Sequence, residues 1–324
     1  MNNKLGYILL LLTIFITGCS SSPQENNKQE QSIGILLSDT GLGDDSFNDS
    51  AFRGLEKARD ELGILFDYRE APDGDFEGAF AELVKQEHDL IIGLGFSVQE
   101  ALEKTAKTHP KQRFLLIDGV SELDNVTSIT FKDHEGSFLV GMVAAMTTKT
   151  NKLGYIAGDD VPVIKRFEKG FEQGAKYVNP SITIFKENAN NFGDAKLGAK
   201  IANKQIKKGA DFLYHAAGFT GAGALQAAQQ ANVYAAGVDS DQYFVAEKAV
   251  VTSMVKKIDN AVFDIAKSLK ETGKISKPIY ELGLKEDGVG LAPIRVAPLT
   301  SEEKKKIEEA TEKIISGDIP INIQ

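Results

Sequence analysis

The chain has no tryptophan, one cysteine, four histidines and no block of basic residues. Each shortage excludes something. A single cysteine can build neither a disulfide framework nor a cysteine zinc site. His88, His109, His134 and His215 show no metal-ligand spacing. Against 46 acidic side chains stand 37 basic ones, a net charge of −9 that no Lys/Arg run offsets, which argues against a nucleic-acid partner. Without tryptophan, any stacking on a flat ligand falls to phenylalanine and tyrosine. "GLGFS" and "GFTGAG" are glycine-rich turns, but neither fits G-x-G-x-x-G; no G-x-S-x-G occurs, and the acids of "SDTGLGDDSFND" lack EF-hand spacing. The sequence therefore leads us to expect neither cofactor nor metal. Beyond residue 31 there is no apolar run long enough to span a bilayer, no low-complexity tract and no short repeat.

What is present begins with "MNNKLGYILLLLTIFITGCSSSPQENNKQEQ". One positive charge at Lys4 precedes an apolar run too short for a comfortable span, which closes on Ile16, Thr17, Gly18 and Cys19. This reads as a signal peptide over residues 1–18. Its ending resembles a bacterial lipobox, which implies diacylglycerol on the sulfur of Cys19. Residues 19–31 then form a polar, flexible tether. The expected mature protein is lipid-anchored on the extracytoplasmic face of a bacterial cell membrane.

The 324 residues, 42% of them hydrophobic, suffice for two domains. "SIGILL", "GILFDY", "DLIIGL", "RFLLID" and "VTSITF" read as strands, separated by helical periods over residues 50–61, 76–87 and 98–108. After Phe131 the pattern restarts. Helices over 136–148, 163–177, 193–207 and 222–230 alternate with the strands "KLGYIAG", "SITIF", "DFLYHAA" and "VYAAGVD". The strands are apolar on successive residues, as parallel strands covered on both faces are. The expected fold is α/β, two lobes each with a parallel sheet flanked by helices. The strand and helix of "AVVTSMVKKIDNAVFDIAKSLKETG" are expected to return to the first lobe, giving lobes of 32–130 with 242–281 and 131–241 with 282–324, and hinges near Thr130, Asp241 and Leu282. A last amphipathic helix over 301–315 has Ser301 as its expected N-cap.

Ligands of open α/β sheets bind beyond the carboxyl ends of the strands. In the first lobe those positions hold Asp39, Asp45, Ser46, Phe47 and Asn48, then Gly95, Phe96 and Ser97, then Asp118. The second lobe offers Asp159, Asp160, Gly218, Phe219, Thr220, Asp239 and Asp241. Phe47 and Phe219, one on each lobe, could close on opposite faces of a flat ligand; each is equally readable as a plug packed on its own lobe. Ionised carboxylates accept hydrogen bonds from sugar hydroxyls and purine N–H groups. Asp118 and Asp239, directly after apolar strands, suit that task best. Asp44, Asp45, Asp159 and Asp160 equally suit solvated turns.

Over residues 32–293 the chain resembles the basic membrane protein family of ABC-transporter substrate-binding lipoproteins, receptors for purine nucleosides. The resemblance is carried by "DTGLGDDSFNDSAFRGLEKA", "GLGFSVQEAL", "FLLIDGV", "NVTSITFKDHEGSFLVGMVAA", "KLGYIAGDDVPVIKRFEKGFEQGAKYVNP", "YHAAGFTGAGALQAA", "GVDSDQ" and "VVTSMVKKID". It implies the type I periplasmic-binding-protein fold. It also implies that Phe47 and Phe219 sandwich the purine, that Asp118 bonds the base, that Asp239 with Lys256 holds the ribose, with Lys257 the rival for that lysine's place, and that Asp39 and Asn48 complete the first-lobe wall. Family members often carry one more residue between the acidic pair and Ser-Phe-Asn than "DDSFN" does, which fixes Phe47 better than Asp39 or Asp45. A monomer that delivers its nucleoside to an ABC permease and ATPase, without catalysis, is the expected role. The alternatives are a sugar or autoinducer receptor of the same fold, whose site would typically add arginines, and a ligand-sensing lipoprotein. A nucleoside hydrolase would need metal dependence, and the chain lacks a His or Cys ligand set.

Overall fold

The apolar runs become strands because helices can cover both of their faces. The computed structural model describes residues 30–275 and 278–324, and residues 31–324 form one compact unit. The signal peptide and Cys19 lie outside the described residues. The chain begins with β1 (Ser32–Leu36), α1 (Phe47–Leu62), β2 (Leu65–Arg69), α2 (Phe76–Lys85), β3 (Leu90–Leu94), α3 (Gln99–Thr108), β4 (Phe114–Ile117) and β5 (Val126–Phe131). It continues with α4 (Asp133–Thr147), β6 (Lys152–Ala157), α5 (Pro162–Val178), β7 (Thr183–Asn188), α6 (Ala195–Lys207), β8 (Phe212–Ala216), α7 (Gly218–Gln230) and β9 (Tyr234–Asp239). Last come β10 (Val250–Lys256), α8 (Ile258–Thr272), β11 (Ile279–Leu282), β12 (Val289–Leu291) and α9 (Ser301–Ser316).

The strands form two sheets, β11-β5-β4-β3-β1-β2 and β12-β10-β9-β8-β6-β7, parallel throughout except for the β10–β12 pair. The α/β two-lobed expectation holds. The central strands β3, β4 and β8 are buried at every residue, whereas β2 and β7, at sheet edges, are not. That contrast is what helix-covered parallel sheets require.

The expected return of residues 242–281 to the first lobe as one block needs correction. β10 pairs in parallel with β9, Val255 opposite Asp239, so it completes the second sheet. Residues 240–249 carry only a single 3₁₀ turn, Gln242–Val245, and run back along that sheet to start a neighbouring strand. Only α8 and β11 cross: β11 pairs in parallel with β5 in the first sheet, and α8 lies so close to α1 that a Cβ on Gly54 would come within 2.6 Å of the Asp259 carbonyl oxygen. The chain thus changes lobes after Phe131, after Lys256 and after Leu282. These three connections run side by side. Phe131 and Leu282 are register partners, Lys132 N donates to Leu282 O at 2.9 Å, and Lys257 N donates to Gly288 O at 2.8 Å.

Three glycines let α4 and α5 approach almost to backbone contact. A Cβ would lie 2.2 Å from Phe171 O at Gly141, 2.2 Å from His134 O at Gly170 and 1.9 Å from Phe138 O at Gly174. At the far end α9 packs on α4. Its cap is Thr300 rather than the expected Ser301. Thr300 Oγ1 accepts from Glu303 N at 3.2 Å while the Glu303 carboxylate accepts from Thr300 N at 2.8 Å. The reciprocal glutamate stands three residues after Thr300, which decides between the two hydroxyls.

Candidate functional site

The carboxyl ends of the two sheets face each other across a cavity of about 610 Å³ of empty space. Its first-lobe wall includes Ser38, Asp39, Thr40, Asp44, Phe47, Phe96, Ser97 and Asp118. The second lobe contributes Val163, Ile164, Phe167, Phe192, Gly218, Asp239 and Lys256.

The opening motif is folded by its own carboxylates. Asp44, buried at the start of α1, accepts from the backbone N–H groups of Ser46 and Asn48, both at 2.9 Å, and of Asp49 at 3.2 Å, covering N–H groups that a helix start leaves free. Burial raises the pKa of Asp44, and these three N–H donors oppose the shift. Asp49 accepts from Gly43 N and Asp45 N, each at 2.9 Å. Phe47, the first residue of α1, is thereby set against the cavity, one ring edge over Gly95. Asn48 stands behind the wall rather than in it. It is wholly buried; its amide nitrogen shares its two N–H donors among Ser38 Oγ, Thr40 Oγ1 and Asp44 Oδ2, each at 2.9 Å, and its amide oxygen accepts from Ser38 N. Its amide spends its bonds on the two hydroxyl residues that do line the cavity. Asp39 lines the cavity and accepts from Ser97 Oγ at 3.2 Å.

Asp118 and Asp239 occupy matching places, one directly after β4 and one at the end of β9. Both have left-handed backbones, with φ of 63° and 62°, a conformation aspartate tolerates better than most residues. Between them stands Lys256, 1% exposed at the end of β10. Its ammonium binds Asp118 Oδ2 and lies 3.1 Å from Asp133 Oδ1. The rings of Phe131, Phe47 and Phe167 stand 5.0, 5.3 and 5.5 Å from it. Burial works against the charge of Lys256, but Asp118, Asp133 and Asp239 outweigh it and hold the ammonium above the usual lysine range. Burial raises the pKa of Asp118, with Lys256 opposing and Asp133 adding. Among the described residues Asp118 Oδ1 has no hydrogen-bond partner, and Asp133 Oδ1 has none beyond its ion pair with Lys256. A buried carboxylate oxygen left unpaired on a cavity wall is an acceptor waiting for a donor.

The lobes already touch across the cleft. Ser46 Oγ donates to Asp239 Oδ2 at 2.7 Å, and the rings of Phe96 and Phe192 stand 6.2 Å apart. Lys256 and Asp118 bridge the same gap. This is a closed arrangement.

Phe219 does not join it. At the first turn of α7, which starts at Gly218 rather than at residue 222, Phe219 is 39% exposed and outside the cavity lining. Gly218 reaches the cavity, but the helix carries the next side chain outward. The aromatic surface of the second lobe comes instead from Phe167 and Phe192. The strand-end rule, applied to β7, would have pointed to Phe192 in "NNFGD". Phe167 was hidden because its spacing from Val163 and Ile164 reads as the core stripe of an amphipathic helix.

Burial pushes Asp239 up to about 7 from an ordinary 3.8; Lys256 and Ser46 oppose the shift, and repulsion from Asp118 and Asp44 adds to it. A carboxyl whose folded-state pKa lies above its unfolded one holds an extra proton in the fold. Its contribution to stability is full below about pH 4 and is lost as the pH rises to about 7. Urea midpoints of the wild type and Asp239→Asn should therefore diverge over that window, the wild type losing ground as the pH rises. A constant difference would contradict the assignment.

Burial also pushes His134 and His215 down to about 4, so both are neutral imidazoles at neutral pH. Among the described residues no group of three or more His, Cys, Asp or Glu side chains could hold a metal ion, and no helix is long and apolar enough to cross a membrane.

Comparison with known proteins agrees with this geometry. The Bmp family model, described as ABC transporter substrate-binding protein PnrA-like, matches residues 31–324. A CD4+ T-cell-stimulating antigen of Listeria monocytogenes is 35% identical, covering 95% of this chain and 94% of its own. The ABC transporter nucleoside-binding protein BmpA of Lactococcus lactis is 33% identical over 97% of this chain and 96% of its own. Among solved structures, a solute-binding protein of an ABC transporter system from Aeropyrum pernix K1 superposes with a TM-score of 0.84 at 29% identity, covering 91% and 94% of the two chains.

Proposed function

Because this chain belongs to the Bmp family of PnrA-like ABC transporter substrate-binding proteins, we propose that its cleft captures a purine nucleoside outside the cell, closes over it and presents it to a permease and its ATPase. The observation that carries the reading is the unpaired Asp118 Oδ1 on the wall of an aromatic cavity. The ligand must be flat enough for phenylalanine walls and must donate hydrogen bonds to carboxylates. It must also be uncharged or weakly cationic. Asp39, Asp44, Asp118 and Asp239 line the cavity, and Lys256, its one charged basic group among the described residues, is already engaged by Asp118 and Asp133. A nucleotide phosphate would meet four acidic side chains and, among the described residues, no unengaged cation; a nucleoside meets acceptors for its N–H and O–H groups.

In this reading Phe47 stacks on one face of the purine, with Phe167 and Phe192 on the second-lobe side. Asp118 accepts from the base, Asp239 and Lys256 hold the ribose, and Asp39 with Ser38 and Thr40 closes the first-lobe wall. Cys19 carries the lipid that keeps the receptor at the membrane.

Stacking on an aromatic ring contributes about 1–3 kcal/mol per base. Phe47→Ala should therefore weaken inosine or guanosine binding about tenfold in titration calorimetry, Phe192→Ala should act in the same direction, and Phe219→Ala should change little. Unchanged affinity in Phe47→Ala, or a larger loss at Phe219 than at Phe192, would remove the stacking part of the reading. Mass spectrometry of whatever small molecule co-purifies with the soluble fragment from residue 20 onward tests the ligand class directly. A phosphorylated or strongly anionic ligand would refute it.

A further inference from the structure

Behind Lys256 lies a pair of charged residues that no step above uses. Asp133 opens α4, directly after the first crossing between lobes, and its side chain is 0% exposed. Its Oδ2 accepts from Arg166 Nε at 3.2 Å and Nη2 at 3.0 Å, leaving Oδ1 to face the Lys256 ammonium at 3.1 Å. Neither Asp133 nor Arg166 lines the cavity. Of the side chains that line the cavity, Lys256 is the one in ion-pair contact with Asp133.

The three residues belong to one lobe. Lys256 ends β10 in the second sheet and Arg166 lies on α5; α4 is locked to α5 by backbone contact at Gly141, Gly170 and Gly174. Asp118, the other partner of Lys256, ends β4 in the first sheet. Separating the lobes pulls Asp118 away from Lys256 but leaves Asp133 in place. A buried ammonium is costly unless counter-charge stays with it; Asp239, at the end of β9 in the same sheet, adds to that charge from a distance, while Asp133 is the acid in contact with the ammonium within the lobe.

We propose that Asp133, oriented by Arg166, is a positioning residue that keeps the Lys256 ammonium seated on the second lobe in the open and the closed cleft alike. The ligand then meets a lysine already aimed, while Asp118 arrives with the first lobe and completes the bridge. This rests on the nucleoside reading for the identity of the ligand, but not for the seating of the lysine.

A double-mutant cycle tests it by calorimetry with inosine. Asp133→Asn should weaken binding about tenfold or more, Lys256→Met at least as much, and the double variant should bind no worse than Lys256→Met alone, because Asp133 acts through the lysine. Full affinity in Asp133→Asn, or losses that add, would overturn the proposal. Arg166→Lys carries the same expectation in weaker form should Asp133→Asn fail to fold. A second arm needs no ligand. In ¹⁵N–¹H spectra of the lysine side chains, the slowly exchanging ammonium signal removed by Lys256→Met should also vanish in Asp133→Asn and survive in Asp118→Asn. Its survival in Asp133→Asn would equally overturn the assignment. If the signals behave as stated while the wild type binds no nucleoside, the ligand reading falls and the seating of Lys256 stands.

Discussion

Asp118→Asn should lower inosine affinity about a hundredfold while leaving the folded protein at least as stable at neutral pH. The two effects have opposite signs because the carboxylate serves the ligand at the expense of the fold. On the binding side, Asp118 Oδ1 is the free acceptor on the wall, and a hydrogen bond to a charged group contributes about 1.5–3 kcal/mol. The closing contact with Lys256 is lost with it, and together these reach about two powers of ten. On the stability side, burial already disfavours the charge of Asp118, and Lys256 keeps Asp133 as its counter-charge when Asp118 is neutralised. Calorimetry with urea unfolding on the same preparation reads both. Affinity within twofold of the wild type would detach Asp118 from the site, and a large loss of stability would show the aspartate to be structural first.

The second large effect lies outside the cavity. Gly174→Ala should destabilise the protein by about 1–3 kcal/mol, the usual cost of forcing extra volume into a packed contact, and lower its melting temperature by several degrees. Alanine favours helix over glycine by about 1 kcal/mol, which pulls the other way. Sterics win here because the new Cβ would sit 1.9 Å from the Phe138 carbonyl oxygen, a backbone atom that no rotamer change can move aside. α4 and α5 would have to separate. Since α5 carries Val163, Ile164 and Phe167 to the cavity and Arg166 to Asp133, inosine binding should weaken in the same variant. A melting temperature at or above that of the wild type would mean that the helices are not held at this distance.

Much of this was legible in the sequence, and the rest was hidden for identifiable reasons. The nine apolar runs named from the sequence all pair as strands, since successive buried residues leave a parallel strand few alternatives. The strand-end rule located Asp118, Asp239, Phe47 and Asp39 on the wall, because a sheet's carboxyl edge is fixed once its strands are known. Phe219 misled for the same rule's reason: being next to a strand end does not set the direction of a side chain on the first helical turn. Asn48 stands behind the wall that the resemblance puts it in, because its hydrogen bonds to Ser38 and Thr40 are visible only in three dimensions. β10 was assigned to the wrong lobe because an apolar strand fits either sheet, and only the pairing with β9 decides. Asp133 could not be singled out at all. An acid in the first turn of a helix ordinarily complements the helix dipole, and nothing local announces a lysine 123 positions later in the chain, at residue 256.

The three adjacent connections between the lobes carry a mechanical consequence. One strap would let the halves swivel freely; three laid flat and stitched to one another act as a leaf spring, compliant about a single axis and stiff against torsion. Cargo can then alter how far the jaws shut but hardly the direction in which they travel.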